Sequence, residues 1–192
     1  MYLNDVSEDC VVAARAHHTI RLTYVPGGPI LAIGDDEVRA EFDKESLSGD
    51  GLNLPKSLEL WQTPGWTAGH VENRKIEGSS PVDLIGDGQH TVDFANQATK
   101  DQLKSSIIKY QGVHLHLLLP PGITVHSGST FGPANRWSDT PLDGIKDHVI
   151  LLTGYNELGP IGITWGQKQA LDWAFLKHYL VEMYWVTKGA TT

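Results

Sequence analysis

Apolar positions along the chain recur with two periods, and each predicts a different element. Asp147-His148 opens the run Val149-Ile150-Leu151-Leu152, which closes on Gly154-Tyr155. A continuous apolar run bounded by glycine predicts a buried strand. Val113-His114-Leu115-His116-Leu117-Leu118-Leu119 is the clearest strand, stopped by Pro120-Pro121-Gly122. Further strands are predicted at Gly69–Ile76, Val82–Ile85, Ile161–Trp165 and Glu182–Thr187. Helical spacing appears first at Val11, Val12, Ala14, Ala16 and Ile20, predicting a buried helix from Asp9 to about Tyr24. Asp9 is its candidate N-cap and Cys10 its first helical residue, and Pro26-Gly27-Gly28-Pro29 ends it. The acids Asp35-Asp36-Glu37 complement the start of a second helix running to about Asp43. Pro55 to Trp61 predicts a short third helix with proline in its first turn. Gln97 to Tyr110 predicts a fourth, with Leu103 and Ile107 on its apolar side. Gln167 to Leu180 predicts a fifth, burying Ala170, Trp173, Ala174 and Leu180. Residues 123–142 are read as a loop-rich insertion containing Trp137. The order of elements predicts an α+β fold in one domain over 1–192. A lobe boundary is expected at about 79–93, with a sheet lobe over about 94–192.

Composition removes several functional classes. A chain of 192 residues can bury a core without covalent staples. The net charge of −8, with no cluster of Lys or Arg, argues against a nucleic-acid surface. No stretch approaches the roughly 20 apolar residues of a membrane span, and no signal peptide opens the chain. The expected location is therefore cytoplasmic or virion-associated. Cys10 is the only cysteine, which excludes an internal disulfide and a cysteine-built zinc site. His114 and His116 alternate on one strand face as two candidate ligands, but no third ligand lies nearby in sequence, so no metal is assigned. No Gly-rich phosphate loop and no Gly-x-Ser-x-Gly elbow is present, and no cofactor is expected.

What remains is cysteine chemistry. Attack by sulfur needs the thiolate, which a helix N-terminus and a neighbouring imidazolium both favour. Cys10 at a helix start and His148 at the mouth of a strand can supply both kinds of group; the alternatives are a small buried apolar cysteine and a core histidine bonded to neighbouring backbone. Against this, Asp5, Glu8 and Asp9 crowd the cysteine with negative charge, which raises a thiol pKa.

The segments Asp9-Cys10-Val11-Val12-Ala13-Ala14, Asp147-His148 through Gly154-Tyr155, and Ile163-Thr164-Trp165-Gly166 together resemble the papain-like cysteine peptidases. The resemblance is nearest to an uncharacterised bacterial and bacteriophage branch with a Leu-Asn-Asp-x-x-x-Asp-Cys start and a Thr-Trp-Gly ending. Members of that branch usually carry further residues before the Leu-Asn-Asp segment. The resemblance implies a two-lobed fold, with a helical lobe led by the Cys10 helix against a small antiparallel sheet or half-barrel. It implies Cys10 as nucleophile, His148 as base and then acid, and Trp165 as a shield over the histidine, lining the substrate groove. Six residues before Cys10, where the family carries an oxyanion-hole glutamine, stands Asn4. Its amide is the same donor on a shorter stem, and the alternative is an Asx-turn in Asn4-Asp5.

The departure lies at the residue that orients the imidazole, normally Asn. Counted from Trp-Gly that position is Ile163; counted without gaps from His148 it is Thr164, whose hydroxyl can bond the ring. The expected function is that of a cysteine peptidase or amidase acting on a peptide or protein substrate. The alternatives are a catalytically degenerate binding or virion structural module, which can self-associate, and a phage lysin directed at the cell wall.

Overall fold

The computed structural model describes residues 9–46, 52–82, 92–120, 123, 136–138 and 146–188. The fold is mixed α+β, with a seven-stranded sheet between two groups of helices.

The first described helix is α1 (Cys10–Thr23), as the apolar spacing predicts, with Asp9 at the N-cap position. The Asp9 side chain makes no capping bond. Nine of the helix's 14 residues are buried, all round the cylinder, as expected of a helix enclosed by other elements. Helices α2 (Asp35–Glu45) and α3 (Leu54–Gln62) follow. Asn53 caps α3 by accepting the Lys56 N–H at 3.0 Å. The strand expected at Gly69–Ile76 is a correction. Gly69–Val71 is a single 3-10 turn, and β1 runs over Ile76–Pro81. Gly69 has φ +67° and Asn73 φ +67°, left-handed conformations that an extended strand does not accommodate. Of the strand expected at Val82–Ile85, residues 83–85 lie outside the described residues, as does most of the expected lobe boundary.

Helix α4 (Gln97–Lys109) leads through Gly112 into β2 (Val113–Leu119). A two-residue strand, β3 (Arg136–Trp137), precedes β4 (Lys146–Asn156), β5 (Gly159–Thr164) and β6 (Gln167–Leu171). The single helix expected over Gln167–Leu180 is the second correction. Its first part is β6, and only Trp173–Tyr179 is helical, as α5. Asp172 caps α5 by accepting the Phe175 N–H at 2.6 Å. Phe175 and Leu176 are the residues α5 buries, whereas Ala174 is exposed. Strand β7 (Leu180–Lys188) ends the described chain.

The strand order is β1-β7-β2-β4-β5-β6-β3, antiparallel except for the β3–β6 pair. Alternation along β4 divides the core in two. Val149 and Leu151 join the apolar residues of α1, α2 and α3 on one face. Ile150 and Leu152 join α4, α5 and Trp137 on the other. Trp61, Trp66 and Trp137 are core residues, and Trp173 and Trp185 are half-buried.

Candidate active site

Three pieces of backbone bring the chemistry together. The first is the start of α1. Cys10 is partly buried and packs against the apolar cluster that holds Val149, and the backbone N–H groups of Val149 and Val11 favour its thiolate. The second is β4. Its ladder with β5 begins at Leu151↔Ile163, so Val149 stands beyond the end of that ladder, where its N–H lowers the Cys10 pKa. Cys10 therefore meets β4 one peptide bond from His148.

The third piece is the β5–β6 hairpin. Thr164 pairs with Gln167 across a two-residue turn made by Trp165 (φ +45°) and Gly166 (φ +70°). Two consecutive left-handed residues are what a type I′ turn requires. Glycine takes that conformation freely, but a tryptophan there costs on the order of 1–2 kcal/mol. The Trp165 ring stacks on His148 at 4.7 Å between centroids and meets Trp137 edge-on at 5.9 Å. Those ring contacts, each worth about 0.5–1.5 kcal/mol, offset the backbone strain.

Of the two candidates for the orienting position, Thr164 is the one that meets the His148 ring. His148 Nε2 lies 2.7 Å from Thr164 Oγ1, with both residues buried. Ile163 pairs instead with Leu151 and Lys168 in the ladder, and its side chain points to the opposite side of β5 from Thr164. Asn4, Asp5 and Glu8 lie outside the described residues. Asp9 is fully buried, and its charge works against the thiolate.

Burial dominates the electrostatics. It pushes the Cys10 thiol up to about 11, against the pull of the Val149 and Val11 N–H groups. It pushes the His148 imidazole down to about 3, and the Lys146 charge acts in the same direction. Near neutral pH both groups are therefore uncharged, a thiol and an imidazole rather than an ion pair.

The histidines read as possible ligands go elsewhere. His114 Nε2 is 2.9 Å from His18 Nδ1 in the core. His116 contacts Asp147 through Nε2 at 2.8 Å and Glu182 through Nδ1 at 3.4 Å. Among the described residues no group of three His, Cys, Asp or Glu side chains is arranged to hold a metal ion. No helix among them is long and apolar enough to cross a membrane.

Sequence reasoning missed two features. The Val149 N–H that favours the Cys10 thiolate has no sequence signal. The type I′ turn does have one, since Trp165-Gly166 sits between two short strand-like runs. Reading it as a hairpin would have placed β6 correctly. No family model matches the chain, and no curated protein matches it in sequence.

Proposed function

We propose that the chain is a papain-like cysteine hydrolase of amide bonds, with Cys10 as nucleophile, His148 as general base and acid, and Thr164 as the group that orients the ring. One observation carries the reading. The helix-start Cys10 packs against the cluster that holds Val149, the residue after His148, and His148 is tied through Nε2 to the buried Thr164 hydroxyl.

The chemistry follows from the tautomer. With its proton on Nε2, His148 donates to Thr164 Oγ1 and keeps Nδ1 as the basic nitrogen. Cys10 starts as a neutral thiol, so its proton passes to His148 Nδ1 as sulfur attacks the amide carbonyl carbon. The imidazolium then gives that proton to the leaving amine, and the acyl-thioester is cleaved by water in a second general-base step. The start of α1 presents backbone N–H groups, which favour the negative charge that develops at this end of the helix. Trp165 covers one face of the imidazole and keeps water from competing for the Thr164 bond.

A second reading has its own support. The orienting group is a hydroxyl where the family carries an amide, and the resting pair is neutral. Both features suit a relative that binds peptide without cleaving it.

Alkylation by iodoacetamide separates the two. If His148 serves Cys10 as base, the wild-type protein alkylates at neutral pH at least about tenfold faster than His148→Ala. Rates that coincide in the two proteins, rising only as a thiol near 11 ionises, overturn the hydrolase reading and leave the binding module.

A further inference from the structure

Away from Cys10, a second pair of histidines joins the same helix to the same sheet. His18 on α1 and His114 on β2 are both fully buried. Their bonding determines their protons. His18 Nε2 lies 3.0 Å from the Tyr110 carbonyl oxygen, which only accepts, so this nitrogen carries a hydrogen. His18 Nδ1 is then an acceptor, and the hydrogen between the rings belongs to His114 Nε2. That leaves His114 Nδ1 as a buried acceptor with no hydrogen-bond partner.

This arrangement has no place for another proton. Added to His114 Nδ1, it creates a buried N–H with no acceptor. Added to His18 Nδ1, it meets the His114 N–H head-on and drives that hydrogen round to the same unpartnered Nδ1. Either route puts an unsatisfied donor and a positive charge in the core, where each is costly.

The surroundings offer no relief. On α1, Arg15 and Arg21 both oppose a charge on the pair. From α2, Glu41 and Glu45 are engaged by Arg15. From α3, Trp61 packs edge-on to both rings, at 5.9 and 6.0 Å. From β4, the neighbour of His114 is the apolar Leu151. From β7 it is Tyr184, whose hydroxyl is given to Glu182. On β2 itself, His116 is engaged by Asp147 and Glu182.

We propose that the His18–His114 pair is an acid-operated latch. It fastens α1, and with it Cys10, to β2 while both rings are neutral, and it releases the helix when the pair takes a proton. Burial keeps both rings in the neutral state at neutral pH. The latch rests on the hydrolase reading only for its consequence, the acid shut-off of Cys10; the release itself is independent of any activity.

Hydrogen-exchange mass spectrometry on the full chain at about pH 7.5 and about pH 5 tests it, after correction for intrinsic exchange. In the wild type, protection across Cys10–Thr23 is expected to fall at least about tenfold further than protection across β4 and β5. In His114→Gln, whose amide can donate to His18 but does not titrate, that selective loss is expected to shrink severalfold. An α1 that stays as protected as the strands at the acid pH overturns the latch, and this arm needs no variant to fold. So does an equal selective loss in a folded His114→Gln protein. Failure of the alkylation test with selective α1 release intact would remove the hydrolase reading and keep the latch.

Discussion

His148 and the His18–His114 pair are both buried, and burial lowers the basicity of all three rings, yet the two regions are built for different work. His148 has one nitrogen tied to Thr164, and in the proposed function its other nitrogen is the one that accepts a proton. In the core pair each hydrogen bond consumes a donor, and the remaining nitrogen faces no partner. Burial alone therefore does not distinguish a working histidine from a structural one. What distinguishes them is whether the proton, once taken up, has somewhere to go.

The largest expected effect comes from breaking the charge balance beside the core pair. Arg15 is fully buried, bonded to Glu41, Glu45 and Ser57 Oγ, with its guanidinium 4.9 Å from the Trp66 ring centroid. Arg15→Met leaves two largely buried carboxylates without their cation. The expected cost is about 3–5 kcal/mol in urea unfolding, because an orphaned buried charge loses its compensation. A loss below about 1 kcal/mol would mean that the carboxylates simply take up protons.

Next comes the orienting bond. Thr164→Val keeps the shape and removes the hydroxyl. With the ring cationic during proton transfer, about 1.5–3 kcal/mol of stabilisation is lost, or roughly 10- to 100-fold in the alkylation rate at neutral pH. Thr164→Asn should hold or raise the rate, whereas Ile163→Asn should leave it unchanged, since Ile163 faces away from the ring. A rate indifferent to Thr164→Val would show that His148 is oriented by Trp165 alone.

The smallest effect per group is the pH dependence of stability. His18 is held in the folded state at about 4, below the ordinary value near 6.5 that it regains on unfolding. Its contribution is complete above about 6.5. Below that the unfolded chain binds the extra proton first, so stability falls with pH until the folded ring also titrates near 4. By about pH 5 the loss is on the order of 1–2 kcal/mol for this histidine. His17, also pushed down to about 4 by burial, adds in the same direction. Urea midpoints measured from about pH 7.5 to about pH 4.5 should fall more steeply in the wild type than in His18→Gln. Parallel slopes would show that His18 is not neutral in the fold.

How much of this was legible in the chain depends on the range of the force concerned. Local sequence determined α1, because apolar spacing and a Pro-Gly stop act within a few residues. It determined β2 and β4 in the same way. The resemblance narrowed the candidate orienting residue to Ile163 or Thr164, by counting from Trp165-Gly166 or from His148. Only the tertiary structure chose Thr164 between them, because the choice depends on the register of β5 against β4. Only the tertiary structure turned Gln167–Leu171 into a strand, since pairing with β5 outweighed an ambiguous helical pattern. The partnership of His18 with His114, 96 residues apart, likewise has no local signature. A hydrogen bond between distant residues exists only once packing has brought them together, and burial then fixes the protonation that packing permits.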